Sequence, residues 1–175
     1  ANNNEVSAFN LINAGGNAIT NTAAGSNNFA LNYLNVNNNA GGIILQNTSG
    51  RGVIQNVNAL DNAAGGISVE TISNLQLLVQ NVTSNGSALG NQAFGLELIA
   101  TNATLNATLQ NVQANNNVTG LILTSDPSTV DLNLSNVNLD NNIFCLVATA
   151  DGGALDLTTT TFSAKNNIFD NVNIA

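Results

Sequence analysis

Val130-Asp131-Leu132-Asn133-Leu134-Ser135-Asn136-Val137-Asn138-Leu139-Asp140-Asn141-Asn142 holds the plan of this chain. Val130, Leu132 and Leu134 alternate with polar neighbours, the period-two pattern of a strand with one face buried. The pair Asn136-Val137 follows, then the polar turn Asp140-Asn141-Asn142. The same plan stands one repeat earlier, where Leu105, Ala107 and Leu109 lead to Asn111-Val112 and Asn115-Asn116-Asn117. It stands again one repeat later, where Leu155, Leu157 and Thr159 lead to Thr161-Phe162 and Lys165-Asn166-Asn167.

Working outward, Asn-Val recurs at Asn35-Val36, Asn56-Val57 and Asn81-Val82. The apolar anchors are thus Val36, Val57, Val82, Val112, Val137 and Phe162, and a degenerate earlier copy falls near Phe9. Their spacing is even except for a short first step, Val36 to Val57, and a long third step, Val82 to Val112. After the turns come Gly42, Gly66, Gly95 and Gly120, with Cys145 in the next slot. Each opens a second alternating strand: Ile43/Leu45, Ile67/Val69, Leu96/Leu98, Leu121/Leu123 and Leu146/Ala148. One repeat is two strands plus a short anchor segment, which is one coil of a three-sided parallel β-helix. The expected fold is all-β, a right-handed parallel β-helix of about 7 coils of roughly 25 residues, a single domain over residues 1–175. Stacked at ~4.8 Å per coil, it makes a rod on the order of 35 Å long. The dense Leu signature of leucine-rich repeats and a six-residue rhythm are both absent.

Asparagine fills about a fifth of the chain. Sharp turns between strands need a residue that tolerates positive φ, and asparagine does so better than any residue except glycine. Stacked turns also place amide above amide, where side chains hydrogen-bond along the axis. Asn35, Asn56, Asn81, Asn111 and Asn136 are expected to form one internal ladder of this kind, a device of the fold rather than a ligand site.

Charged residues are only 7% of the chain, and the net charge is −8 with two cations, Arg51 and Lys165. Nucleic acid is excluded as a partner, because its affinity comes from Lys and Arg neutralising phosphates. Anionic membrane surfaces are disfavoured for the same reason. The sequence has no apolar run long enough to insert in a bilayer. No signal peptide is legible, and a start at Ala1 suggests a processed or trimmed chain. Cys145, the lone cysteine, reads as a small buried hydrophobe.

The segments Asn39-Ala40-Gly41-Gly42-Ile43 and Ala63-Ala64-Gly65-Gly66-Ile67 resemble the Gly-Gly-x-Ile motif of bacterial surface passengers such as the chlamydial polymorphic outer-membrane proteins. With the coil plan, the chain is similar to right-handed parallel β-helix repeat proteins of the pectate-lyase-like superfamily. That resemblance covers Phe9 to the end. It implies a secreted or cell-surface protein, and it admits lyases, hydrolases, adhesins and passengers alike.

Catalysis is not expected. Glycoside hydrolysis uses two opposed carboxyl groups. The best acidic pair is Asp131 and Asp156, equivalent outward positions in adjacent coils, in a column with Ala30, Arg51, Gln76 and Asn106. It reads mainly as two solvated acids. The chain has no His, and no cation stands in an acidic cluster. No cofactor and no metal are expected. The seven Asn-x-Ser/Thr matches are what chance predicts for this composition.

The outward faces are rich in amides and hydroxyls, with scattered apolar groups, and the few charges give weak repulsion between copies. Neither terminus reads as a cap, so the chain is either part of a longer solenoid or one whose ends pair with other copies. The residues 85–92 form the one insertion. The expected role is an extracellular structural subunit that self-assembles, head-to-tail or laterally, into a filament or surface layer. The alternative is a monomeric adhesin or passenger segment binding glycans, and a carbohydrate-active enzyme ranks below both.

Overall fold

A computed structural model describes residues 4–22, 26–86 and 93–169. They contain twelve strands and no helix: β1 (Asn4–Ser7), β2 (Asn10–Ile12), β3 (Asn17–Asn21), β4 (Ser26–Asn37), β5 (Gly41–Leu60), β6 (Ile67–Thr83), β7 (Phe94–Thr101), β8 (Thr104–Gln113), β9 (Thr119–Asp126), β10 (Thr129–Asn138), β11 (Phe144–Ala150) and β12 (Ala154–Ser163). All eleven strand pairings are parallel. The architecture is a parallel β-solenoid. It completes about six turns, not seven. β12 pairs with β10 as the start of a further coil, and residues beyond 169 lie outside the described residues.

Each coil has three sides. The longest lies before the anchor, as in residues 129–135 of β10. Its inward row Val130, Leu132 and Leu134 is buried while Asp131 and Asn133 point to solvent. A residue at positive φ then turns the chain: Asn56, Asn81, Asn111 and Asn136 all have φ between 52° and 55°. The short second side carries the anchor. A second positive-φ residue follows, at Asn38, Asp61, Asn116, Asn141 and Asn166, and the post-glycine strand forms the third side. L-residues reach this left-handed region at a cost that asparagine lessens by local hydrogen bonding, so both corners select it.

The core is one continuous file of apolar side chains, almost all aliphatic, from Phe29 to Ala148. Val57, Val82, Val112 and Val137 pair in succession and Phe162 follows on Val137. Below Val57 the register departs from the sequence reading. Val57 lies on Leu34, and Val36 lies under Ala59. Below Leu34 the register runs through Ser7↔Asn32 and Asn10↔Asn35, which puts Phe9 in the anchor column. The short first step of the anchor series was thus a slip of two positions, since Leu34 and not Val36 is the partner of Val57. Leu34 and Val36 are both fully buried, because positions i and i+2 along a strand share a face.

Candidate functional site

Three features of this solenoid bear on function: its amide ladders, one polar groove, and its two end faces. Along the first corner, Asn81 Nδ2 donates to Asn56 Oδ1 (3.1 Å), Asn111 Nδ2 to Asn81 Oδ1 (3.0 Å) and Asn136 Nδ2 to Asn111 Oδ1 (2.9 Å). Asn35 is not in this file. Asn56 Nδ2 donates instead to Asn32 Oδ1 (3.2 Å), and the corner's positive φ in that coil falls on Tyr33. Asn35 stands further along the strand, in a separate file of Asn10, Asn35 and Asn58. Nor is the ladder internal. Asn81, Asn111 and Asn136 are exposed on the corner, because their backbone turns there and carries the side chain outward.

The internal ladder belongs to other residues, the last member of each polar turn. Asn39, Asn62, Asn117 and Asn142 are all buried. Their Nδ2 groups donate to backbone carbonyls one coil below, those of Leu11 (2.9 Å), Val36 (2.7 Å), Ser84 (3.0 Å) and Ala114 (3.0 Å). Oδ1 of Asn39, Asn62 and Asn142 accepts the N–H of Ala14, Asn39 and Asn117, at 2.8, 3.1 and 2.8 Å. Each of these amides therefore satisfies backbone groups that the turn removes from the sheet ladder. The glycine column exists for it: a Cβ on Gly120 would lie 2.7 Å from Asn142 Nδ2 and 2.7 Å from the Cys145 carbonyl.

The outward row of the longest side runs Arg51, Gln76, Asn106, Asp131 and Asp156 in direct register. Ala30 is not in this row; it pairs with Val53, another consequence of the slip. Together with Leu78, Thr108, Asn133 and Thr158 the row lines a shallow open groove of about 580 Å³. Asp131 and Asp156 are exposed neighbours. Arg51 lies three coils from Asp131. On the third side Ser68 Oγ donates to Glu97 Oε2 (2.7 Å) and Gln46 Nε2 to Glu70 Oε2 (3.3 Å). Among the described residues no three acidic, Cys or His side chains converge as a metal would need. Asp170 and most of the insertion, residues 87–92, lie outside the described residues.

Among the described residues, the first and last turns carry most of the exposed large apolar side chains. Phe9 is 55% exposed on the first turn, and Phe162 is 38% exposed on the last. They are the two ends of one column, whose interior members Leu34, Val57, Val82, Val112 and Val137 are buried. No family model matches the chain, and no curated protein or solved structure does.

Proposed function

We propose that the chain is an extracellular structural subunit, a β-solenoid that associates with copies of itself into a filament or surface layer. The observation that carries this reading is the regular stack itself, in which every described strand pairing is parallel, the geometry by which like coils add to one another. Phe9 and Phe162 occupy core positions of their coils yet face solvent. Among the described residues, β1 and β12 each pair with a single strand. The flanks oppose association weakly, with only 7% charged residues in the chain. The same reading takes the chain as a right-handed, pectate-lyase-like β-helix of the surface-passenger type, on the strength of the Gly-Gly-Ile runs at 41–43 and 65–67. The role is mechanical rather than catalytic. The acid pair Asp131/Asp156 is solvated, and the nearest cation in its row, Arg51, stands three coils from Asp131.

A second reading, a monomeric adhesin, is favoured by the groove of about 580 Å³, where amides, hydroxyls and Asp131 offer the hydrogen bonds a glycan accepts and donates. Electron microscopy and size-exclusion chromatography of the purified chain separate the two. Self-association predicts rods or sheets that grow with concentration. A monodisperse protein at millimolar concentration that is retained by immobilised glycans would transfer the assignment to the adhesin.

A further inference from the structure

The first corner carries a neutral strip of amides. Its middle row is Tyr33, Asn56, Asn81, Asn111 and Asn136, one residue from each coil. Gln55, Gln80 and Gln110 run beside it on one flank, and Asn58, Thr83 and Gln113 on the other. No charged side chain stands in these rows. Among the described residues, Glu5, Arg51, Asp131 and Asp156 lie on the longest side and Glu70 and Glu97 on the third. Asp61, Asp126, Asp140, Asp151 and Lys165 lie at the corners that bound the third side. Two copies of a chain with net charge −8 therefore meet the least repulsion along this strip.

These amides are also held ready for a partner. An amide has two N–H donors and two acceptor lone pairs. The ladder takes one of each at Asn81 and at Asn111, and leaves one N–H and one lone pair on both. The rows repeat at ~4.8 Å along the axis. Because the ladder already fixes the side chains, a contact has little further ordering to impose on them. Tyr33 stands in line with them, 63% exposed and at φ of 53°. Its backbone is strained and the fold covers little of its ring, an outlier that points to a contact outside the fold. Tyrosine is among the residues that most often anchor protein interfaces.

We infer that two copies associate side by side along the first-corner strip, with Tyr33 of each as an anchor against the other's amides. The partner is a second copy for two reasons. An amide row both donates and accepts, so it is complementary to itself. A second solenoid also presents its groups at the same coil spacing, so the two rows stay in step over their whole length. In a two-fold contact the same strip serves both copies. The inference rests on the self-association reading and gives it a lateral surface.

The test compares three variants by analytical ultracentrifugation, with circular dichroism showing that each keeps its β spectrum. Tyr33→Asn should unfold at a higher urea concentration than the parent, yet self-associate about tenfold more weakly or worse for want of its anchor. A role in the fold alone would not move the two readouts in opposite directions. The double variant Asn81→Asp with Asn111→Asp charges the strip. It should weaken association at least about tenfold at low salt and recover much of the loss at about 0.5 M salt, where surface charges are screened. Asn141→Asp is the matched control and should associate like the parent. Asn141 is exposed, has φ of 57° and accepts from Asn166 Nδ2 in a ladder at the other corner. Strip variants that associate like the parent, or a control weakened as much as they are, would overturn the strip while leaving self-association through another surface standing. A parent chain that stays monomeric up to millimolar concentration removes the self-association reading itself, and this inference with it.

Discussion

Asparagine does two different jobs in this molecule, and the backbone decides which. At Asn136 the residue itself has φ of 54°, so the side chain leaves the corner toward solvent and its amide bonds lie at the surface. At Asn142 the preceding residue, Asn141, carries the positive φ (57°), and the Asn142 side chain turns inward onto the Ala114 carbonyl. Replacing Asn142 with Ala strands a buried carbonyl and the Asn117 N–H, a loss of about 2–4 kcal/mol in urea unfolding. Asn136→Gly keeps the turn and removes only an exposed bond, a loss of about 0.5–1 kcal/mol in the same measurement. Ala8 (φ of 58°) and Tyr33 (φ of 53°) are the exceptions on the exposed corner, and Tyr33 is the bulky one. Tyr33→Asn relieves that strain and should raise stability by about 0.5–1 kcal/mol. Composition and spacing made the need for asparagine at turns legible. They did not say which asparagine of each cluster points inward, because that depends on a one-residue offset in φ. The sequence reading therefore placed the internal ladder at Asn35, Asn56, Asn81, Asn111 and Asn136, and passed over Asn39, Asn62, Asn117 and Asn142. A signal was present: a glycine follows shortly after each buried asparagine (Gly42, Gly66 and Gly120) except Asn142, whose slot holds Cys145.

At the scale of the strand, that glycine marks close approach rather than a left-handed turn. None of Gly42, Gly95 and Gly120 has positive φ, yet a Cβ on any of them would meet atoms of the next coil closer than real Cβ atoms come. Gly120→Ala must push Asn142 from the Ala114 carbonyl or part the strands at Cys145. The expected cost is about 2–3 kcal/mol, read as a lower urea midpoint with an unchanged slope. A neutral Gly120→Ala would mean that the ladder amide is not held against this strand. The strands themselves were readable from alternation, and so were the inter-coil partners from Val57 onward. The failure at Val36 has a definite cause. A one-residue error in register would turn every side chain to the wrong face, but a two-residue error keeps the face and so escapes detection by hydrophobic pattern. The Asn-Val dipeptide at Asn35-Val36 then outweighed Leu34, whose neighbour on the corner is Tyr33 rather than asparagine.

At the scale of the whole molecule, the solenoid follows from the repeat alone. A single coil cannot bury its inward row, and stacking is what supplies a core. The groove was only partly legible. Asp131 and Asp156 were placed together correctly because they stand one regular repeat apart, whereas the row's lower end needed the register at Arg51. The proposed function rests on the stacking more than on any one side chain, so the decisive measurement addresses stacking directly. Through-hydrogen-bond couplings between backbone nitrogen and carbonyl carbon, recorded by NMR on isotopically labelled protein, should join the Ala114 N–H to the Asn138 carbonyl and the Leu139 N–H to the Ser163 carbonyl. Couplings that pair residues close in sequence, or that run in antiparallel order, would contradict the solenoid and everything argued from it.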